Sequence, residues 1–276
     1  MPELPEVETV RRELAPHVTG RTITGVTFEW DGIVKKVPVQ DFVEGVTGKE
    51  VLSLRRRGKY LIFSLSSGRY MIIHLKMTGS LLVQPSGSEL PRFTRAVLHL
   101  DNRTDVVFRD PRKFGVMRLV DDPDTIVGKL GPEPLEDEFT VDVLKQRFKG
   151  RKAPMKALLC DQNVIAGIGS MYADEVMFDT GIYPVRLPES LTEKEKEHLH
   201  EAIRRILDAA VENKGASVQN YYRPDGSKGT AHFEFNVAHR LGQPCNVCGT
   251  PIERMVVRGR GTYYCPKCQK DRKRRT

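Results

Sequence analysis

The chain opens Met1-Pro2-Glu3-Leu4-Pro5-Glu6-Val7-Glu8-Thr9-Val10-Arg11-Arg12, crowding three carboxylates into the head of a basic polypeptide. Leu4, Val7, Val10 and Leu14 recur at the spacing of one helix face. Pro5 suits a first helical turn, Glu6 and Glu8 complement the positive end of the helix dipole, and Arg11 and Arg12 lie further along. The plain reading is an N-terminal helix with a favourable charge gradient. A second reading is chemical. Proline in second place normally permits removal of Met1, which would leave Pro2 with a free secondary amine. A terminal amine has a reference pKa of about 8, so a useful fraction is nucleophilic near neutral pH without the burial a lysine needs. Glu3 and Glu6 then stand within reach of that amine.

The 276 residues exceed what one core usually needs, so two domains are expected. The net charge of +8 points to a polyanionic partner, either nucleic acid or an anionic membrane surface. No apolar run approaches the length of a membrane span, and the acidic N-terminus has no apolar signal segment. A cytoplasmic protein is expected. Five cysteines, four of them in two close pairs near the end, suit a metal site in a reducing compartment better than a disulfide framework.

Between residues 20 and 120 the pattern is that of strands: Thr22 to Glu29, Val51 to Arg55, Tyr60 to Leu65, Tyr70 to Leu75, Ala96 to Leu100, Val106 to Phe108 and Val116 to Val120. Seven short strands separated by turn residues argue for a β-sandwich or barrel. Asp121 to Glu138, acidic and proline-containing, reads as a linker. Beyond it Val141 to Phe148, Pro154 to Cys160, Ser170 to Phe178 and Leu191 to Asn213 read as helices, the last opening with a capping box of Thr192 and Glu195. Gly215 to Thr230 reads as a long loop, of a length usually reserved for function or disorder. The expected class is α+β with two domains: residues 1–120, a linker at 121–138, a helical part at 139–240 and a four-cysteine end at 241–276.

Three stretches in the strand region carry chemistry-bearing residues. Arg55-Arg56-Arg57-Gly58-Lys59-Tyr60 is a positive run leading into a strand. Such a run is ordinarily a solvated face, but a strand would hold Lys59 on a rigid element, as a phosphate or substrate contact requires. His74-Leu75-Lys76-Met77-Thr78-Gly79-Ser80 lies at a strand end, where Met77 taken alone reads as core. Asp110-Pro111-Arg112-Lys113-Phe114-Gly115 is a turn that displays Arg112 beside Phe114, an inward-packed Phe114 being the plain alternative. Among the helices, Gly167 and Gly169 break one and start another at Ser170, where free backbone N–H groups suit a phosphate. Most such helix pairs bind nothing.

The end of the chain carries the strongest physical signal. Cys245-x-x-Cys248, sixteen residues and then Cys265-x-x-Cys268 have the spacing of a four-thiolate structural zinc site. Between the pairs, Val256-Val257-Arg258-Gly259-Arg260-Gly261-Thr262-Tyr263-Tyr264 reads as a hairpin with a basic glycine turn that pushes Arg260 outward.

The Pro-Glu-Leu-Pro-Glu-Val-Glu opening, the Arg-Gly-Lys-Tyr string, the Met77 and Arg112/Phe114 stretches, the Gly167–Glu175 turn and the cysteine pairs together resemble bacterial formamidopyrimidine-DNA glycosylases, the Fpg family, over the whole chain. The resemblance implies an N-terminal β-sandwich led by a helix, a helix–two-turns–helix element and a zinc-bearing hairpin. It implies a monomer that excises oxidised purines from double-stranded DNA and cleaves the strand. In that scheme Pro2 is the nucleophile, Glu3 the general acid/base, Glu6 a supporting carboxylate, and Lys59, His74 and Arg260 position phosphates, with Arg258 beside them. Met77, Arg112 and Phe114 fill the gap left by an extruded nucleotide, as apolar wedges with a cation do. The Gly215–Thr230 loop lies where the family closes over the flipped base. Two positions depart from the family pattern. Ser170 stands where asparagine is usual, and Val237-Ala238-His239-Arg240 replaces a Val-Tyr-Gly-Arg string. An enzyme of the same fold selecting oxidised pyrimidines and a non-enzymatic zinc DNA-binding protein are the alternatives; Leu4 and the full Met77/Arg112/Phe114 set favour the purine branch.

Overall fold

A computed structural model describes residues 1–218 and 221–271 of the chain. Met1–Lys129 and Val211–His232 form one unit, Leu130–Ala210 and Phe233–Thr276 a second. No helix among the described residues is long and apolar enough to cross a membrane.

The first unit opens with α1 (Leu4–Val18), whose stripe of Leu4, Val7, Val10, Leu14 and Val18 is at most 1% exposed. Then follow β1 (Thr22–Phe28), α2 (Val39–Val46), β2 (Lys49–Arg57), β3 (Tyr60–Leu65), β4 (Tyr70–His74), β5 (Ser80–Pro85), β6 (Thr94–Leu100), β7 (Thr104–Arg109), β8 (Val116–Val120) and the short α3 (Asp124–Val127). The strands run antiparallel in the order β5-β7-β6-β1-β2-β3-β4-β8. β1 and β2 pair only through Thr22↔Glu50 and Ile23↔Lys49, and a register shift follows at Ile23/Gly25. Such an irregularity sharpens twist and bend. The ladder therefore folds into two layers, β5-β7-β6-β1 and β2-β3-β4-β8, the expected sandwich. α1 packs on β2, β3 and β5, sharing a core with Leu54, Leu61, Phe63, Met71 and Ile73.

Besides the short α3, which lies inside the segment read as a linker, two elements exceed the sequence reading. β5 follows Gly79 in a stretch the sequence reading assigned to no strand; it is an edge strand whose ladder bonds all go to β7. α2 lacks a side-chain N-cap and is held by burying Phe42 and Val46. Both depend on tertiary burial that local pattern does not record.

In the second unit come α4 (Val141–Phe148), α5 (Met155–Leu159), α6 (Ser170–Asp179), α7 (Glu193–Glu212) and the hairpin of β9 (Glu253–Val257) and β10 (Arg260–Tyr264). α7 starts with the expected reciprocal box: Glu195 N–H donates to Thr192 Oγ1 at 3.2 Å and Thr192 N–H to Glu195 Oε2 at 2.8 Å. Between α5 and α6 one side chain staples the turns. Gln162 Nε2 donates to the carbonyls of Cys160 and Ile168 at 3.1 and 2.7 Å, and its Oε1 accepts Gly167 N–H at 2.9 Å. Gly167 sits at φ 87°, where a side chain would be strained.

Lys156 of α5 is fully buried and donates to the Asp174 carboxylate and, at 2.6 Å, to the Ser170 carbonyl of α6. Removing one partner of a buried ion pair leaves an uncompensated charge, so Lys156→Ala is expected to cost about 3–5 kcal/mol. Lys156→Met combined with Asp174→Asn should recover part of that loss, because the second charge is gone too. Urea unfolding of the three proteins decides: a double variant no more stable than Lys156→Ala would contradict the ion-pair account.

Candidate active site and metal centre

Glu3 precedes α1 as its N-cap residue, in extended backbone at φ −107° and ψ −168°. Glu6 turns back so that its Oε2 accepts the Glu3 N–H at 2.7 Å, while its Oε1 accepts the Ala216 N–H, also at 2.7 Å. Glu3 and Glu6 are 2% and 0% exposed, and Pro2 is buried with them. A carboxylate tolerates such burial only when donors replace its water. Gly215, at φ +74°, makes this approach possible: a Cβ there would lie 2.9 Å from Glu6 Oε1. The Tyr221 hydroxyl donates to the Glu6 carbonyl at 3.3 Å. Glu6 thus ties the peptide following Pro2 to the Gly215–Thr230 loop, of which residues 219 and 220 lie outside the described residues. The returning limb of that loop is tied to α1 as well, Arg223 meeting Glu13 at 3.0 Å through Nε and 2.6 Å through Nη2.

Met77 and Phe114 are 44% and 47% exposed on two separate turns, and the Arg112 guanidinium lies 4.7 Å from the Phe114 ring centroid. Phe114 does not pack inward. Each exposed apolar residue follows a lysine held in left-handed backbone, Lys76 at φ 57° and Lys113 at φ 58°. Such conformations cost about 1–3 kcal/mol each and persist only where the surroundings fix them. Asp110, fully buried, supplies the fixing. Its Oδ1 accepts the Thr78 hydroxyl and, at 3.2 Å, the Arg112 N–H; its Oδ2 accepts the Phe114 and Gly115 N–H groups, both at 2.7 Å. Sequence reasoning saw Asp110 only as the start of a turn. An acid inside the cationic run Arg109–Lys113 was the available signal.

Lys59 occupies the tight turn between β2 and β3 with Gly58 at φ 56°, and is 5% exposed. Next to it Tyr60 pairs with His74 across β3 and β4, and their rings meet edge to face at 4.5 Å. His74 Nδ1 accepts the Lys76 N–H at 2.9 Å. Burial, helped by the charges of Lys76, Lys59 and Arg118, brings the His74 pKa down to about 3. The ring is therefore neutral at physiological pH, with its proton on Nε2. The arginine run is also not a uniform patch. Arg56 is turned inward, its side chain 5% exposed and 3.0 Å from Glu8.

In the second unit Ser170 Oγ donates to the Gly261 carbonyl at 3.1 Å, so its hydroxyl serves the hairpin next to Arg260. Arg258 and Gly259, at φ 48° and 75°, form the two-residue turn between the paired Val257 and Arg260. Arg258 and Arg260 are both exposed. Two further buried acids, missed in the sequence, hold this end. Asp174 accepts the Tyr263 N–H of β10 at 3.0 Å. Glu175 accepts the N–H groups of Asn236, Val237 and Ala238 at 2.8, 2.9 and 2.8 Å, fixing the segment that departs from the family pattern.

The sulfurs of Cys245, Cys248, Cys265 and Cys268 all lie within 4.8 Å of one another, with separations of 3.9 Å for Cys245–Cys268 and 3.5 Å for Cys248–Cys265. A tetrahedron with Zn–S bonds of about 2.3 Å has edges of about 3.8 Å, so the four thiolates fit one zinc ion. The local core is small, Phe178, Val237 and Ile252 packing with Cys245 and Cys265. One structural Zn²⁺ with no open position is the cofactor of this ribbon.

A helix-led β-sandwich with buried acids at its head, joined in one chain to a helical unit bearing a four-thiolate ribbon, defines a class of zinc-ribbon protein with a two-turn helical element. Comparison with known proteins gives the family. Residues 1–117 match the formamidopyrimidine-DNA glycosylase N-terminal domain, 130–221 the formamidopyrimidine-DNA glycosylase H2TH domain, and 242–270 the zinc finger found in FPG and IleRS. The formamidopyrimidine-DNA glycosylase of Carboxydothermus hydrogenoformans is 42% identical over 98% of this chain and 100% of its own, and that of Chloroflexus aurantiacus 43% over 98% of each. Among solved structures, MutM (Fpg) from Thermus thermophilus superposes with a TM-score of 0.88 at 40% identity, covering 97% of this chain and 98% of that one. Lactococcus lactis Fpg in complex with Fapy-dG DNA superposes with a TM-score of 0.90 at 31% identity, covering 98% and 100%. The chain belongs to the formamidopyrimidine-DNA glycosylase family.

Two outcomes are expected from these geometries. Glu8 is buried, which alone would raise its pKa, but the hydrogen bond from Arg11 and the charges of Arg56 and Arg11, together with Arg12, bring it from 4.5 down to about 2. A depressed acid contributes stability above its unfolded pKa and loses it as pH falls through the folded one. With solvent screening allowed for, linkage converts this shift into about 2–3 kcal/mol, present above about pH 4.5 and gone by about pH 2. Denaturant unfolding across that window should show the loss in the parent and not in Glu8→Gln. For the metal, elemental analysis should give about one zinc per chain. Cys248→Ser should leave the first unit folded while zinc is lost and affinity for DNA collapses; a zinc-free chain that binds DNA as the parent does would contradict the site.

Proposed function

We propose that this protein is a bifunctional DNA glycosylase and abasic-site lyase that removes oxidised purines (8-oxoguanine and ring-opened formamidopyrimidines) from double-stranded DNA in base excision repair. The observation that carries it is the head of α1, where Glu3 and Glu6 are buried beside Pro2 and a Glu6 oxygen holds the very next peptide N–H. The Glu3–Glu6 pair is also the capping box of α1, but a cap needs only one Glu6 oxygen, and here the other reaches Ala216 N–H in the Gly215–Thr230 loop. A nucleophile to be kept in place has a use for that second tie.

In this reading Met1 is removed and the Pro2 amine attacks C1′ of the damaged nucleotide. The N–C1′ bond forms as the glycosidic bond breaks, and the base leaves with a proton. Glu3 moves protons at the sugar, and Glu6 holds the N-terminal segment. The C1′–O4′ bond then opens, O4′ taking a proton, and the resulting iminium is the electron sink for β-elimination, which breaks the C3′–O bond, and for δ-elimination at C5′–O. Lys59, neutral His74 through its Nε2–H, and Arg260 with Arg258 contact phosphates, which supplies affinity and makes it salt-dependent. Ser170 contributes by seating the hairpin on α6. Met77, Arg112 and Phe114 occupy the space vacated by the extruded nucleotide. The zinc ion is structural, supplying the folding energy of a hairpin too poor in apolar surface to order itself. The protein acts as a monomer, in the cytoplasm, where reducing conditions keep four thiolates available to the metal.

Borohydride reduction of the iminium tests this directly. The processed protein should become covalently linked to duplex DNA carrying 8-oxoguanine opposite cytosine. A form retaining Met1, its Pro2 nitrogen locked in an amide, should neither link nor excise. Normal turnover by the Met1-retaining form would overturn the mechanism, and preferential linking to oxidised pyrimidines would overturn the purine assignment.

A further inference from the structure

We infer that Asp110 is the positioning residue that makes Met77, Arg112 and Phe114 a single wedge, rather than three independent contacts. The inference rests on the wedge role proposed above. Its basis is that two turns distant in sequence share one carboxylate. The Met77 turn reaches it through the Thr78 hydroxyl, and the Arg112–Phe114 turn through three backbone N–H groups, those of Arg112, Phe114 and Gly115. The Arg112 N–H also lies 3.3 Å from Thr78 Oγ1, so the turns are bonded to each other as well.

A second observation places both turns on one support. A Cβ at Gly79 would lie 2.8 Å from the Phe108 ring, and one at Gly115 would lie 2.5 Å from it. The glycine closing each turn is thus pressed against the same edge of one buried side chain, 1% exposed. With Lys76 and Lys113 both in left-handed backbone, neither turn would keep its shape unaided. Asp110 sits between them, wholly out of solvent. Its position suits holding the turns and not touching DNA.

The bonding pattern also says which substitution should be tolerated. Asp110 Oδ2 must accept from Phe114 and Gly115. Oδ1 faces a hydroxyl that can turn round and accept, and the Arg112 N–H has Thr78 Oγ1 as a second acceptor. An asparagine with its oxygen toward Phe114 and its NH₂ toward Thr78 satisfies most of this. An alanine satisfies none.

The test uses the full-length, zinc-loaded protein and two substrates. One is duplex DNA with 8-oxoguanine opposite cytosine, whose base must be extruded and its place filled. The other is single-stranded DNA with a preformed abasic site, which has no opposite strand to wedge. Asp110→Ala should lower excision on the duplex by about a hundredfold, as misplacing a site by roughly 1 Å does, and leave borohydride linking to the abasic strand near the parent level. Asp110→Asn should recover most of the excision. Combining Asp110→Ala with Phe114→Ala should add little to either alone, because the wedge is already out of place. A 2-aminopurine placed opposite the lesion should brighten on binding the parent and stay quenched with Asp110→Ala. Equal losses on both substrates, or additive losses with Phe114→Ala, would overturn the inference. Should Asp110→Ala fail to fold, Thr78→Val decides by the same split: it removes both bonds by which Thr78 ties the Met77 turn to the other, those to Asp110 and from Arg112 N–H, and an unchanged duplex rate would refute the shared support. A parent protein that links to neither substrate would instead refute the mechanism on which this rests.

Discussion

Buried carboxylates held by backbone N–H groups organise this molecule. An acid in the interior is tolerable only where donors replace its hydration. Glu6, Asp110, Asp174 and Glu175 each meet that condition with main-chain donors from a segment far from their own element or from a turn that must keep its shape. Glu6 ties the peptide after Pro2 to Ala216. Asp110 fixes two turns, Asp174 takes hold of β10, and Glu175 receives three successive N–H groups ahead of the ribbon. Through these bonds irregular chain acquires the precision of secondary structure.

The same arrangement shapes the charge of the surface. The chain's net charge is +8, yet many of its acids are inside or engaged with arginines, Glu8 alone meeting Arg11, Arg12 and Arg56. Other cations, Arg112, Arg258 and Arg260 among them, stay exposed. Exposed positive charge is what a polyphosphate backbone attracts. His74 follows a different logic: being neutral it offers one donor and no charge, so it adds direction rather than field.

The zinc ribbon solves a problem of size. A hairpin with five paired positions and a handful of buried apolar residues has too little core to fold by itself. Four thiolates around one ion replace that core. Asp174 and the Ser170 hydroxyl then seat the hairpin on α6, so the exposed arginines at its tip project from a fixed base.

How much of this was legible follows from which interactions are local. The stripe of α1, the Thr192/Glu195 box, the breaks at Gly167 and Gly169 and the spacing of four cysteines depend on residues a few positions apart, and the sequence alone determined them. The sandwich was legible as alternating strands, but not its eighth strand or α2, because an edge strand and an uncapped helix exist only by virtue of the core they cover. The choice between a displayed and an inward-packed Phe114 was left open there, and that Arg56 faces inward, that His74 is neutral and that Ser170 bonds to the hairpin could not be read from the chain. Nor could the parts played by Asp110, Asp174 and Glu175. Each is an acid whose donors are distant in sequence or set by turn geometry, and burial, which decides whether a carboxylate is solvated or must be bonded, is a property of the assembled structure alone.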